Sequence, residues 1–431
     1  TQLVLGAAES VQVAEDNHEF TFRLKDNRWS DGTPVTAGDF KQAWLRVIRS
    51  DSRQKTKFAW IQGVESFWEG TGSPEAIGLE AIDDRTLQVR LKQPYPMFLS
   101  LTSSIAYLPL PQHAKEPLGF VTNGAYSLAS VEAKRVVLQP KEAGKPMVQV
   151  TLNGDGEWIA RQFREQAVDV ADGIPHKHFQ AFQEQGFVHL VKEYGTAFLF
   201  FNCRNERLQT AAVRKEIKSA LDLEAIVTAA QMYEKPMRSL VPWDFHQAAE
   251  ATDIVFPSEK QEKPVAKRTP NGLRLLCIKL ELYEIMAHQI KRQIEGASGY
   301  QVEVVPCEFE DLMERVRQGE YELALQGWIG DYLDPMSMLE IWTSDHPYNL
   351  SGYASEEFDQ RILQSHVEQD SERRTVLLQQ AEALLLRDAP LIPIYQYMQP
   401  LLKQKGIKGI ACSPFGLLDF SSICKQPVNT P

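Results

Sequence analysis

The sequence predicts an α/β fold, because segments typical of strands and helices alternate through much of the chain. Between residues 273 and 328, three apolar strands are separated by two amphipathic helices, which is the βαβαβ pattern of a parallel sheet. A similar alternation between residues 148 and 193 predicts a mainly parallel sheet there as well. The chain has 431 residues, which is enough for two or three domains.

The composition excludes several classes of protein. Hydrophobic residues make up 43% of the chain and charged residues 24%, as in ordinary globular proteins. The net charge is −11 and the acidic residues are spread along the chain, which argues against nucleic acid as a partner. No apolar run approaches the roughly 18 residues that are needed to cross a bilayer.

The motifs of common catalytic and cofactor sites are missing from the sequence. It contains no Gly-x-Ser-x-Gly elbow, no glycine-rich phosphate loop and no His-Glu-x-x-His pair. His176 and His178 form a His-x-His pair, but no further ligand is apparent nearby, and a metal site needs three or four. We therefore predict a non-enzymatic protein without a metal or a cofactor.

The five cysteines are widely spaced and form no Cys-x-x-Cys motif. Cys277 and Cys307 lie on successive predicted strands, and Cys412 and Cys424 bracket a loop near the C-terminus. Either pair could form a disulfide in an oxidising compartment. Buried thiols without a disulfide are the alternative.

Local patterns predict most of the individual elements. Residues 17–25 and 85–91 alternate as strands, and Thr36 is expected to cap a helix over 37–49. Trp29 is expected to be a structural plug, that is, a side chain that packs inside the fold and does not contact a ligand. A stretch rich in proline and charge, 244–269, is expected to be a surface loop. Helical periodicity predicts further helices over 211–221, 223–232, 283–295, 308–318, 356–368 and 371–387.

One stretch has the features of a ligand-binding turn: Gly327-Trp328-Ile329-Gly330-Asp331-Tyr332-Leu333-Asp334-Pro335. It follows a predicted strand over 321–326, and its two glycines let the backbone turn and approach a neighbour closely. Pro335 lacks a backbone N–H and ends the backbone hydrogen bonding of the strand. A strand end with an aromatic ring, carboxylates and bare backbone groups can bind a small polar ligand. From these residues alone, the alternative is a structural turn with a packed Trp and solvated acids.

The same stretch resembles the pattern Gly-Trp-x-x-Asp-x-x-Asp/Glu-Pro of the bacterial extracellular solute-binding proteins of family 5, which serve ABC importers. Other segments resemble motifs of this family and follow its order; they are Phe20–Lys25 with Trp29–Phe40, Asn123–Tyr126, Val213–Asp222 and Pro390–Tyr395. The ordered set is much more specific than any one motif. The segment at Asn123–Tyr126 departs from the family pattern Gly-x-Gly-Pro-Tyr, because the first Gly of the pattern is missing and Ala125 stands in place of its Pro.

The resemblance implies the two-lobed fold of type II periplasmic binding proteins, in the peptide-binding cluster, with an extra N-terminal subdomain around residues 15–115. Two hinge strands would join the lobes near Asn202 and Gln399, and such lobes close over a ligand. The predicted boundaries are 1–201 with 399–431 for one lobe and 202–398 for the other.

The resemblance also implies a function. Proteins of this kind capture oligopeptides or dipeptides and deliver them to the membrane permease of an ABC transporter, acting as monomers without nucleic acid. The alternatives are glutathione, nickel, haem or a sugar as the ligand, or a solute-sensing domain.

The family is exported, so we expect this protein in the periplasm or at the outer face of the cytoplasmic membrane. Either a leader has been removed or the chain begins inside the mature protein. The second alternative is favoured, because Leu3–Glu9 resemble a segment that family members reach only after several tens of residues.

Individual residues take expected roles from the same resemblance. Asp331 matches the acid that binds the α-ammonium group of a peptide, and Gly327 matches a position whose backbone contacts the ligand. The further candidates for ligand binding are Trp328, Tyr332, Asn349 and Tyr353. We expect the side chain of Asp334 to cap the turn or to face solvent.

Overall fold

The structure is a computed structural model that describes residues 4–112, 121–230, 236–246 and 272–426. Most of the loop predicted over 244–269 and the end of the helix predicted over 223–232 lie outside the described residues.

The chain forms two compact units, residues 2–191 with 399–431 and residues 192–398. We call them the terminal unit and the central unit. The boundaries between these units follow residues 191 and 398, and the lobe boundaries predicted from the sequence follow residues 201 and 398.

The strands of the terminal unit that precede the first boundary are β1 (Ala8–Val13), β2 (Glu19–Leu24), β3 (Leu79–Asp83), β4 (Thr86–Arg90), β5 (Tyr126–Glu132), β6 (Arg135–Pro140), β7 (Val148–Thr151) and β8 (Val170–Ala171). Its helices are α1 (Ala37–Ile48), α2 (Val64–Trp68), α3 (Phe98–Leu101), α4 (Gly156–Arg164) and α5 (His176–Glu184). One antiparallel sheet has the order β1-β2-β4-β3 and another has the order β5-β6-β7.

The remaining strands are β9 (Val188–Phe201), β10 (Leu273–Ile278), β11 (Val302–Cys307), β12 (Leu323–Ile329), β13 (Leu391–Lys403), β14 (Ile407–Lys408), β15 (Ala411–Cys412), β16 (Leu418–Asp419) and β17 (Cys424–Lys425). The helices of the central unit are α6 (Ala211–Ser219), α7 (Leu223–Ala229), α8 (Glu281–Ser298), α9 (Phe309–Gln318), α10 (Met336–Leu339), α11 (Glu356–Val367) and α12 (Ser371–Asp388). Outside 223–232, the predicted helices are confirmed, with ends within three residues of those expected.

The parallel sheet expected between residues 148 and 193 is wrong. β7 pairs antiparallel with β6, and β8 pairs antiparallel with the end of β13 at Leu402 and Lys403. Only a short loop joins β6 to β7, whereas a parallel pair needs a crossover of a dozen or more residues. β7 therefore extends the β5–β6 hairpin.

The βαβαβ pattern of the central unit is confirmed. β10 pairs in parallel with both β11 and β12, and β12 pairs antiparallel with β9. Leu275, Leu323 and Leu325 are fully buried against the apolar stripe of α8, which includes Met286 and Ile290. The parallel pairing places the carboxyl ends of β10, β11 and β12 at one edge of the sheet.

The start of α1 shows why the Trp29–Phe40 segment has its sequence. The Thr36 side chain accepts a hydrogen bond from the backbone N–H of Asp39 at 3.3 Å, and the Asp39 carboxylate accepts one from the backbone of Thr36 at 2.8 Å. Trp29 is buried, and its indole N–H donates to the same carboxylate at 3.1 Å. The expected cap and the expected plug are both confirmed.

The structure describes all five cysteines and joins none of them by a disulfide. Cys277 and Cys307 are buried on the adjacent strands β10 and β11. Burial raises the pKa of the Cys277 thiol to about 12, so this thiol is unreactive at neutral pH. In the parts of the chain that the structure describes, no helix has both the length and the apolar character needed to cross a membrane.

Candidate functional site

The stretch from Gly327 to Pro335 begins inside β12. Gly327, Trp328 and Ile329 pair with β9, and the chain leaves the sheet only at Gly330. The turn therefore starts later than the sequence suggested, because β9 supplies an antiparallel partner as far as Ile329. β10 pairs with β12 only as far as Leu325 among the described residues.

Both glycines of this stretch are required by close neighbours. A Cβ atom at Gly327 would overlap the hydroxyl of Tyr397 and would lie 2.5 Å from Cζ of its ring. A Cβ atom at Gly330 would lie 2.6 Å from Ser337 Oγ and 2.7 Å from Tyr194 Cδ1. Real Cβ atoms do not approach other atoms this closely, so the close approach predicted for the two glycines is confirmed.

Asp331 is half-buried in the turn that follows β12. The backbone immediately before it is held in place, because the N–H of Gly330 donates to the carbonyl of Tyr194 at 2.8 Å. Since β10, β11 and β12 are parallel, Asp331 lies at the edge formed by their carboxyl ends. Open α/β sheets bind their ligands at this edge.

Asp334 is buried, which excludes the second of its two expected alternatives, a side chain that faces solvent. Its carboxylate oxygens accept hydrogen bonds from Arg374 of α12, with Nη2–Oδ1 at 2.7 Å and Nη1–Oδ2 at 2.9 Å. Oδ1 also accepts from the backbone N–H of Met336 at 2.9 Å, so the expectation that Asp334 caps the turn is confirmed. Arg374 itself is 6% exposed and also donates to the carbonyl of Ser365. This carboxylate is therefore part of the fold of the turn.

Trp328 belongs to a row of three aromatic side chains beside the turn. Its ring centroid lies 5.2 Å from that of Tyr348, which in turn stacks on His346 at 5.7 Å. The indole N–H of Trp328 donates to the carbonyl of Ser337 at 2.8 Å. Burial lowers the pKa of His346 to about 4, so the imidazole is neutral at neutral pH. We call Trp328, Tyr348 and His346 the aromatic row.

The other three candidates from the sequence lie deeper in the central unit, and each is less than a tenth exposed. Tyr332 donates its hydroxyl to Glu340 Oε1 at 3.0 Å, and Tyr353 donates its hydroxyl to Asp388 Oδ2 at 2.9 Å. The Asn349 side chain donates to the carbonyls of Thr343 and Tyr353 and accepts from the N–H of Gly352. The structure thus places Gly327, Trp328 and Asp331 together at the strand end. The polar groups of the other three candidates form hydrogen bonds within the central unit.

The His-x-His pair lies at the start of α5. Nε2 of His178 lies 2.9 Å from a carboxylate oxygen of Glu157, and Nδ1 lies 2.7 Å from the guanidinium of Arg164. This histidine is part of a network of charged groups on α4 and α5. Among the residues that the structure describes, no group of three or more potential ligands could hold a metal ion.

Sequence reasoning missed two residues on α12 that act near the turn, Arg374 and Glu382. Both are buried, and both lie on the stripe that also contains Leu378 and Leu385. Their spacing of four residues from Leu378 was a readable signal, because charged residues on an apolar stripe must have buried partners. The partners themselves are distant in sequence and could not be identified.

An α/β protein with a half-buried carboxylate at the carboxyl edge of a parallel sheet has the geometry of the ligand-binding class. The model of the bacterial extracellular solute-binding proteins, family 5 Middle, matches residues 2–349. The chain belongs to this family, and the family predicted from the motifs is confirmed.

Individual relatives span nearly the whole chain. The chain is 29% identical over 448 residues to the dipeptide-binding protein DppE of Bacillus subtilis (strain 168), covering 96% of this chain and 82% of DppE. It is 28% identical over 441 residues to the periplasmic oligopeptide-binding protein OppA of Escherichia coli (strain K12), covering 94% and 81%.

A solved structure confirms the two-lobed fold. The Haemophilus influenzae OppA complex with RPPGFSPFR superposes with a TM-score of 0.78 at 24% identity, covering 95% of this chain and 87% of that one.

Proposed function

We propose that this protein captures peptides outside the cytoplasm and delivers them to the permease of an ABC transporter. We also propose that Asp331 binds the α-ammonium group of the peptide. The observation that carries the proposal is the half-buried position of this carboxylate at the carboxyl edge of the sheet. Relatives that cover nearly the whole chain are named dipeptide- and oligopeptide-binding proteins, which supports a peptide as the ligand.

The two carboxylates of the turn differ in their burial. Asp334 forms a buried ion pair with Arg374. Asp331 lies three residues earlier, in a more exposed position on a backbone held by Tyr194. A carboxylate in such a place favours a cationic group, and a closed site strengthens the attraction because water no longer screens it.

The end of β12 supports an extended peptide as the ligand. Beyond Leu325, the paired residues of this strand have β9 on one side only, within the described part of the chain. An extended peptide can add its own backbone hydrogen bonds to such an edge. Gly327 and Trp328 lie in this part of the strand, and they remain proposed ligand contacts together with Asp331. Tyr332, Asn349 and Tyr353 are proposed to shape the site from beneath.

We propose that the protein binds its peptide without catalysing a reaction and without a cofactor. We propose a monomer in the periplasm or at the outer face of the cytoplasmic membrane, in keeping with the extracellular location in the family's name. Light scattering on the purified protein would test the monomer. The hinge closure expected from the sequence stays a prediction, for which solution scattering with and without peptide is the measurement.

A thermal-shift screen tests the choice of ligand. Ligands that bind only the folded state raise the melting temperature by mass action. We expect a degenerate tripeptide pool to raise it, and the same pool with acetylated N-termini to raise it much less. Native mass spectrometry would weigh any peptide that purifies with the protein. Stabilisation by haem, nickel or a sugar with no response to peptides or glutathione would contradict the proposal.

A further inference from the structure

Glu382 is a fully buried acid on α12 that no ligand-binding role accounts for. Its Oε1 accepts hydrogen bonds from Ser239 Oγ at 2.8 Å and from the backbone N–H groups of Leu240 and Val241 at 2.6 and 2.8 Å. Its Oε2 accepts from the indole N–H of Trp243 at 2.6 Å. We call this set of contacts the Glu382 clasp.

The segment held by the Glu382 clasp, residues 239–246, lies against β9 beside the turn that contains Asp331. The carbonyl of Leu240 accepts from Thr196 Oγ1 at 2.7 Å, and Thr196 is the residue of β9 that pairs with Trp328. Three residues after Trp243, the ring of His246 places Nε2 2.9 Å from the hydroxyl of Tyr194. The clasped segment therefore contacts β9 at two points.

Tyr194 carries this support to the turn. It is fully buried, and the ring of Phe245 also packs edge-on against it, at a centroid distance of 5.5 Å. On the other side, its carbonyl holds the N–H of Gly330, and its ring is so close to Gly330 that no side chain fits there. Tyr194 therefore contacts the backbone before Asp331 through both its carbonyl and its ring.

We infer that Glu382 is a positioning residue of the ligand site. It holds the 239–246 segment, this segment holds Tyr194, and Tyr194 holds the turn that aims the Asp331 carboxylate at the ligand. The effect of Glu382 on ligand binding rests on the proposed function. Its effect on the rigidity of the turn does not depend on any ligand. Arg374 supports the turn from its other end through Asp334, so loss of the clasp is expected to loosen the turn without dissolving it.

The chemistry of the clasp gives a selective variant, Glu382→Gln. Three donors converge on one carboxylate oxygen and a single donor on the other, so the amide oxygen would stay with the three. The amide NH₂ would then face the indole N–H of Trp243, and two donors cannot bond to each other. Trp243→Phe removes the conflicting donor, so the double variant should recover part of the wild-type behaviour. Trp243→Phe alone leaves Glu382 in place as a second test.

Glu322→Gln is the control. Glu322 is also a buried carboxylate of the central unit, 3% exposed. It accepts from the backbone N–H of Arg274 at 2.8 Å, and it forms ion pairs with the guanidinium groups of Arg274 and Arg207. It lies just before β12, at the opposite end of that strand from the turn. The two variants make the same chemical change, one just before β12 and the other on α12.

Hydrogen exchange followed by mass spectrometry, without ligand, tests the inference directly. In Glu382→Gln we expect amides of residues 328–336 to exchange about tenfold faster than in the wild type, because loss of the clasp lowers the free energy of local opening. We expect no change there in Glu322→Gln, and a partial return in the double variant. Wild-type exchange over 328–336 in both Glu382→Gln and Trp243→Phe would overturn the inference.

Binding then separates the inference from the proposed function. The quantity is the difference in melting-temperature shift between the tripeptide pool and its N-acetylated counterpart. We expect this difference to be large in the wild type and in Glu322→Gln and small in Glu382→Gln. No difference in the wild type would contradict the role proposed for Asp331, and the exchange experiment would still decide the role of Glu382. A wild-type difference in Glu382→Gln would overturn the inference, whatever its melting temperature.

Discussion

Arg374 and Asp334 form a bidentate ion pair inside the central unit, with Nη2–Oδ1 and Nη1–Oδ2 distances of 2.7 and 2.9 Å. Each of the two side chains is only 8% exposed. Asp334 lies in the same turn as Asp331. Asp334 stabilises the turn, and Asp331 is proposed to bind the ligand.

Asp334→Asn is expected to destabilise the protein strongly. The substitution leaves the guanidinium of Arg374 buried without its countercharge, and breaking a buried pair costs roughly 3–5 kcal/mol. Urea unfolding of the variant measures the loss. The control is Glu357→Gln, which breaks an exposed pair with Arg387 and should cost about 1 kcal/mol or less. Similar small losses in both variants would contradict a structural role for the Asp334 pair.

Asp331→Asn is expected to weaken binding. In a closed site the ammonium of the peptide would lose its countercharge, which costs roughly 3–5 kcal/mol, or about two orders of magnitude or more in affinity. Acetylation of the peptide should do similar harm to the wild type and little further harm to the variant. Calorimetry on the four combinations of protein and peptide measures this, and equal affinities of the two proteins for the free peptide would remove Asp331 from the site.

Gly327→Ala is expected to cost about 1–3 kcal/mol of stability, because its Cβ would overlap the ring of Tyr397. In a Tyr397→Ala background the same change should cost much less, since the obstacle is gone. The double-mutant cycle by urea unfolding measures this coupling. Gly154→Ala is the control, because no atom lies within 4 Å of the Cβ position there. Additive effects of the two changes would show that the contact with Tyr397 does not require the glycine.

His346 is expected to make the protein less stable in acid. Burial lowers its pKa in the folded state from 6.5 to about 4, so the unfolded chain binds a proton more readily than the folded one. The contribution of the neutral imidazole is fully present above the unfolded pKa of about 6.5, and it is lost as the pH falls through the folded value.

Urea midpoints between pH 7.5 and pH 4 measure this loss. His346→Gln removes the titrating group and should flatten the decline. Burial also lowers the pKa of His246, so part of the decline should remain in the variant. A decline of the same size in His346→Gln and the wild type would show that His346 does not titrate as expected.

Features that depend on neighbouring residues could be predicted from the sequence. The cap of α1 requires only Thr36 and Asp39, three residues apart, and the βαβαβ pattern of the central unit requires only local periodicity. The family was predicted from short motifs in a characteristic order, and membership of the family implies the two-lobed fold. The glycines at 327 and 330 correctly indicated a close approach of the backbone.

The partners in space were decided by the tertiary structure alone. Arg374 and Asp334 are 40 residues apart, and Glu382 and Leu240 are 142 apart. Helical periodicity marks 374 and 382 as buried positions, but it carries no information about which group meets a buried charge. That choice depends on how α12, β9 and the turn after β12 pack together, since a buried carboxylate is stable only where packing brings donors to it. The sequence alone therefore shows two similar acids at 331 and 334, and only the folded chain distinguishes the one that is buried in an ion pair.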